Sequence, residues 1–164
     1  MPKHTLDIQS EDHYDFDVFS ITSVESVYVV IHEINKLLNL EIELNDLLDY
    51  RHDKGEDFYF PLYSYWHEAL NIEFHVLSNN SSFQGNKPKT LTTSDLFGGD
   101  IEQTVRLIPE LENTDYFLII KGDNRLQYNH TIYETLRKSE AFISMQELFL
   151  SDLKDKKAKG NLLF

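Results

Sequence analysis

The sequence predicts an α+β fold, a two-layer sandwich in which a mainly antiparallel sheet carries two helices on one face, with the ferredoxin-like arrangement as one form of it. Three observations lead there. Strand-like and helix-like segments follow one another in the order strand, helix, hairpin, long loop, strand, helix, strand. The helical stretches carry an apolar stripe on one side only, so each has a single face to bury. One segment, Phe117-Leu118-Ile119-Ile120, is apolar on both alternating faces and reads as the middle of a sheet. At 164 residues the chain fits one domain, spanning 1–164. A domain of that size buries roughly 70% of the surface its unfolded chain exposes.

Taken in order, Phe16-Asp17-Val18-Phe19-Ser20-Ile21 mixes apolar and polar residues with β-branched members and reads as a strand. Thr22-Ser23-Val24-Glu25 has the spacing of a capping box, predicting a helix start there. Val27, Val30, Ile31, Ile34, Leu37 and Leu38 then form one helical stripe, closed by Asn39 just past the end. From Glu41 to Asp57 the chain is acidic, with Leu44, Leu47 and Leu48 as anchors, and reads as irregular or briefly helical. Phe58 to Trp66 is aromatic on both faces, and Pro61 cannot donate to a ladder, so an edge or bulged strand is expected. After a turn at His67 to Asn71, Ile72, Phe74 and Val76 alternate with Glu73 and His75, giving a half-buried antiparallel partner strand.

Residues Asn79 to Gly99 are poor in apolar anchors and predict a long mobile loop. Arg106-Leu107-Ile108 reads as a short strand ended by Pro109, followed by a turn and the central strand Tyr116 to Ile120. Lys121-Gly122-Asp123-Asn124 is turn chemistry, and Thr131-Ile132-Tyr133-Glu134 offers a second capping box within a helix ending near Ser139. Phe142 to Met145 reads as a last strand, although Met145, Leu148, Phe149 and Leu153 also fit helical spacing. The tail, 151–164, joins Lys154, Lys156, Lys157 and Lys159 to an apolar end, Leu162-Leu163-Phe164, that is expected to dock on the protein's own sheet or a neighbouring subunit.

The charge is unevenly placed. Residues 1–80 hold 4 Lys and Arg against 16 Asp and Glu, whereas residues 81–164 hold 11 against 12. A field of that sign repels phosphate backbones, which argues against nucleic-acid binding and favours a basic protein or peptide as partner. The chain has no Cys, which excludes disulfides, thiol catalysis and cysteine metal sites. It shows neither a signal-peptide pattern nor an apolar run of about 18 residues, so a cytoplasmic protein without membrane insertion is expected.

Residues that could carry chemistry have simpler structural readings. Asp15 and Asp17 would share one side of a strand, as a Mg²⁺ site needs, but no phosphate cradle or second acidic pair accompanies them. His67 and His75 flank the hairpin turn without a fixed third ligand for zinc. His32-Glu33 lacks the second His of a zinc-protease motif. Glu110 and Asp115 fit a turn better than a catalytic pair, with Asp115 tying down backbone N–H groups. An enzyme would have to bring together distant residues such as His32, His75, Asp115 and Tyr116. No catalytic residue, metal or cofactor is assigned. The leading expectation is an interaction module whose contacts are Tyr59, Tyr63, Tyr65, Trp66, Leu162, Leu163 and Phe164. A small-molecule-sensing domain is the alternative, on analogy of fold, and a homodimer is compatible with either.

The stretch Ile108-Pro109-Glu110-Leu111-Glu112-Asn113-Thr114-Asp115-Tyr116 resembles the signature of the IPExxxVDY family, with Thr114 standing where the signature has Val. The resemblance extends to Phe16-Asp17, Asn35-Lys36, Lys121-Gly122 and Asn161 to Phe164. It implies a compact intracellular domain whose members carry no assigned reaction, cofactor or catalytic residues. Ile108, Pro109, Glu110, Asp115 and Tyr116 are accordingly read as structural.

Overall fold

A computed structural model of the chain describes residues 14–51, 57–81, 83–84, 105–162 and 164. The elements are β1 (Phe16–Thr22), α1 (Val27–Leu38), β2 (Glu43–Arg51), β3 (Asp57–His67), β4 (Ile72–Ser78), β5 (Phe83–Gln84), β6 (Tyr116–Lys121), α2 (Arg125–Leu136), β7 (Ser144–Leu148) and the short α3 (Lys156–Gly160). Six strands form an antiparallel sheet in the order β2-β3-β4-β6-β1-β7, with the two-residue β5 pairing alongside β3. This is the α+β architecture the sequence predicts. With β2, β3 and β5 set aside, the remaining order β1-α1-β4-β6-α2-β7 is compatible with the β-α-β-β-α-β plan of a ferredoxin-like core.

Alternation along the strands sorts the core into two clusters. On one face Phe19, Ile21, Phe74, Val76, Leu118 and Ile120 meet Val30, Ile31 and Ile34 of α1 and Ile132 and Leu136 of α2. Both helices therefore lie on that face, in contact with each other. Of the expected helix stripe, Val27, Leu37 and Leu38 are half-buried and pack at its margin. On the other face Val18, Phe60, Leu77, Phe117 and Ile119 are covered by irregular chain carrying Leu107, Ile108, Leu150, Leu153 and Leu162. β6, buried from Tyr116 to Ile120, lies between β4 and β1 as the sequence indicates.

Several local expectations need correction. The segment from Glu41 is a nine-residue strand, not irregular or helical chain. Its register slips between Leu44 and Asp46, so Leu44 faces Tyr63 and Leu47 faces Pro61 on one side of the sheet. The bulge gives same-face leucines a three-residue spacing that imitates a helix. With β2 in place, β3 is an interior strand rather than an edge. Pro61 fits there because it falls between the stretch paired with β5, at Phe58 and Tyr59, and the stretch paired with β4, from Leu62 onward. β4 is buried on both faces, His75 and Leu77 included, rather than half-buried.

α1 begins after Ser26, not at a capping box on Thr22. Pairing with β7 holds Thr22 in β1, and its hydroxyl donates to the Asn113 carbonyl at 2.6 Å. The helix ends where expected, with Asn39 in the left-handed region at φ 52°. Thr131 lies in the middle of α2, because the turn at Gly122 leads straight into that helix. Gly122 has φ 121°, and a Cβ there would collide with the Asn71 carbonyl. Arg106 makes only an isolated bridge with Asn80 instead of a strand. The last strand starts at Ser144, two residues later than expected. Of the long loop expected at 79–99, residues 79–81 and 83–84 are described and the remainder lies outside the described residues.

Candidate functional site

A helix with its side chains is about 10 Å across and strands are spaced about 4.8 Å apart, so two adjacent helices cover roughly four strands. The sheet has six. The helix-side core reaches from β7 to Tyr63 and Tyr65 of β3 but includes no residue of β2, so the β2 end of that face projects beyond α1. There Leu44 is 60% exposed and Leu47 is 41% exposed. Tyr28, on the flank of α1, is 72% exposed and stands edge-on to Tyr63, ring centres 6.4 Å apart. Pro61 and Tyr59 complete the surface from β3, opposite Leu47 and Asp49.

The exposed carboxylates of this wing divide between the faces: Asp49 shares the side of Leu44 and Leu47 and Glu41 lies just ahead of the strand, whereas Glu43 and Asp46, opposite Ser64 and Leu62, belong to the other side. The Asp46 side chain also accepts from the Leu47 N–H at 2.7 Å, bracing the bulge. At the inner boundary burial, with Tyr28 as its hydrogen-bond partner, pushes the Tyr63 hydroxyl up to about 12. It is therefore neutral at ordinary pH. β2 is also the outer strand of the sheet, with one side paired to β3.

The expected contact residues do not form one surface. Alternation sends Tyr59, Tyr63 and Tyr65 to the helix side and Trp66 to the opposite side. Tyr63 is buried and Tyr65 packs half-buried beneath the helices, so both belong to the core more than to a contact surface. Trp66 is 52% exposed. Leu162 is fully buried in the core opposite the helices, where the tail docks on the protein's own sheet. Phe164 is partly exposed, and Leu163 lies outside the described residues. Tyr28, Leu44 and Leu47 were missed. A large aromatic off the apolar stripe of α1 was the available signal.

The signature residues act as a clasp. Ile108 is buried, and its N–H donates to the side-chain oxygen of buried Asn79 at 2.8 Å. The Asn79 amide donates in turn to the carbonyls of Leu111 and Thr114 at 3.1 and 2.8 Å. These bonds replace the strand pairing expected for 106–108. Glu110 accepts from the N–H groups of Lys154 and Asp155, holding the chain that leads into the tail. Asp115 accepts from the Ser23 N–H at 2.9 Å, and the Tyr116 hydroxyl donates to the Glu25 carbonyl. Connector, β1–α1 turn and tail are thereby tied together.

The residues weighed for catalysis or metal binding are kept apart. Asp17 pairs with Arg125 at 3.5 Å and accepts from Asn129, whereas Asp15 is exposed ahead of β1. His67 and His75 point to opposite faces: His67 stands edge-on to Tyr65, and His75 lies beneath Phe164. His32 is exposed on α1, on the helix side of the sheet, whereas His75 lies on the other side. Among the described residues no group of three His, Asp or Glu is placed to hold a metal ion. A shallow cavity of about 190 Å³ lies beside Phe16 and Phe149, smaller than the roughly 300–1,000 Å³ of typical ligand pockets. Among the described residues no helix is long and apolar enough to cross a membrane. Compared with family models, curated proteins and solved structures, the chain matches none of them.

Proposed function

We propose that the chain is a non-catalytic interaction module that binds a basic peptide or protein segment on the exposed β2–β3 wing. The observation that carries this reading is the apolar patch of Tyr28, Leu44 and Leu47 at an acidic outer strand, with Asp49 on the same face, Glu41 just ahead of the strand and Glu43 and Asp46 on the other face. Apolar contact supplies affinity there, while the carboxylates select the charge of the partner and speed its approach. A second copy of the chain fits poorly, because the formal charge of −13 sets two acidic surfaces against each other. The same reading places the protein in the cytoplasm, and the signature residues Ile108 to Tyr116 support placing it with the IPExxxVDY family.

The test is a fluorescence anisotropy titration with labelled nine-residue peptides that alternate Leu with either Lys or Glu. The Lys peptide should bind, and binding should weaken as salt rises beyond about 0.1 M, where the screening length falls below about 10 Å. Replacing Leu44 and Leu47 together by Ser should weaken it by about tenfold or more. Equal binding of both peptides, or an affinity indifferent to the double substitution, overturns the proposal.

A further inference from the structure

His75 is the one buried histidine ring among the described residues, at 4% exposure, and neither ring nitrogen has a hydrogen-bond partner there. Glu73 Oε2 lies 3.3 Å from its Nε2, within ion-pair distance but too poorly aligned for a hydrogen bond. The surface it would otherwise show to water is capped by the Phe164 ring, edge-on with centres 5.2 Å apart. Phe164 is held by Lys121, whose Nζ lies 4.2 Å from the ring centre and donates to the Phe164 main-chain oxygen at 2.8 Å. Two residues earlier the tail is anchored independently. Leu162 is buried in the core, Asn161 donates to the Leu107 carbonyl at 2.8 Å, and Tyr50 donates to the Asn161 carbonyl at 2.7 Å.

We propose that Phe164 is a proton-released latch: protonation of His75 lifts the Phe164 ring from its seat while Leu162 stays anchored, uncovering a His75–Lys121–Glu73 patch between Trp66 and Phe16. The patch is a row across four strands, since Trp66 pairs with Glu73, Glu73 with Lys121 and Lys121 with Phe16. It lies on the sheet face opposite the β2–β3 wing, so this inference stands independently of the proposed function.

The argument is one of linkage. Phe164 seals a ring that gains a charge when protonated, and sealing disfavours the charged form. By reciprocity the charged form disfavours sealing. The charged groups facing His75 are Glu73 on its own strand, which favours protonation, and Lys121 on β6, which opposes it. From β3 it meets Ser64 and, from the tail, the Phe164 ring, neither of which titrates. Burial outweighs Glu73 and, with Lys121, holds His75 below its ordinary 6.5. The depressed group binds its proton more readily once unsealed, so the latch is fully closed above about 6.5 and weakens as pH falls toward the depressed value. Within that window the closing equilibrium changes by up to about tenfold per pH unit.

Proton and amide NMR from pH 8 to 5 tests this, with circular dichroism confirming that the fold persists. The His75 ring resonances should titrate below 6.5, and the Phe164 amide should move toward its free-chain shift with the same midpoint. Phe164→Ala should move the His75 midpoint up toward 6.5, and His75→Phe should abolish the pH response of the Phe164 amide. A His75 midpoint at or above 6.5, one unchanged by Phe164→Ala, or a Phe164 response that survives His75→Phe overturns the proposal. If His75→Phe does not fold, the Phe164→Ala arm decides alone.

Discussion

In β6 every residue from Tyr116 to Ile120 is buried, with Leu118 and Ile120 in the helix-side core and Phe117 and Ile119 in the opposite one. In β2, Leu44 and Leu47 stand open to solvent, and only Leu48 and Tyr50 reach the core, at its margin. The two strands belong to one sheet. They differ in how many neighbours specify them: β6 is held by strands on both sides and by packing on both faces, while β2 has one strand partner and one covered face. A strand fixed from four directions has no freedom left to serve a partner. One fixed from two retains both a free edge and a free face.

The largest effect should therefore come from the centre. Phe117→Ala removes a fully buried ring and is expected to cost about 3–5 kcal/mol in chemical denaturation, against less than about 0.5 kcal/mol for Leu47→Ala. Comparable costs at the two positions would mean that the wing is covered and the comparison is mistaken. Asn79→Ala should come next. It leaves the buried Ile108 N–H without its acceptor and the Thr114 carbonyl with only the longer bond from Arg106 at 3.5 Å, at about 1–3 kcal/mol for a group left unpaired. An Asn79→Ala midpoint close to that of the unsubstituted protein would show that the connector is held by other means.

Much of this contrast was legible in the sequence, and for a physical reason. The apolar run of β6 and the stripe of α1 are periodic, because every residue in them answers to the same core. Turn chemistry at Lys121 to Asn124 and the left-handed Asn39 were also readable, since their backbone geometry restricts the residue locally. β2 was not legible, because its bulge breaks the period of two and its acidic residues suit solvent in any conformation. Nor was the clasp on Asn79, whose partners are 29 to 35 residues away and leave no local pattern. The wing was invisible as a site for the same reason as β2 itself. Its apolar residues come from α1 and a misread strand, while the aromatic run that drew attention divides between two faces.

Alkaline titration offers a gentler probe of where the wing joins the core. Burial, with Asp49 nearby, pushes Tyr50 up to about 12, and burial with the Tyr28 partner does the same for Tyr63. Both pKa values are raised on folding, so the stability linked to them is fully present below about 10 and is lost as pH rises toward 12. Tyrosinate absorbance should show these two hydroxyls ionising late in the titration. Tyr50→Phe and Tyr63→Phe should remove the late portion, and a titration curve unchanged by both substitutions would place their rings in water.

The smallest effect on stability is also the most informative about function. Glu43, Asp46 and Asp49 are exposed on an outer strand, and surface substitutions of that kind usually change stability by no more than about 0.5 kcal/mol. Replacing Glu43 and Asp49 by Lys, while keeping Asp46 to brace the bulge, should leave the denaturation midpoint nearly unchanged. The same double substitution brings the charge of Glu41, Glu43, Asp46 and Asp49 taken together to zero without touching Leu44 or Leu47. If the carboxylates select the partner, the preference for the Lys-Leu peptide over the Glu-Leu peptide should be lost. If instead the variant keeps its preference, the charge of β2 serves only to protect a free edge from other strands, which is the ordinary use of charge on an outer strand. A variant that loses both peptides while remaining folded would show that the apolar patch alone is too small to bind, making charge the source of affinity as well as of selection. The comparison between β6 and β2 then sharpens into a division of labour: the central strand stabilises the fold, and the outer one can change its charge without disturbing it.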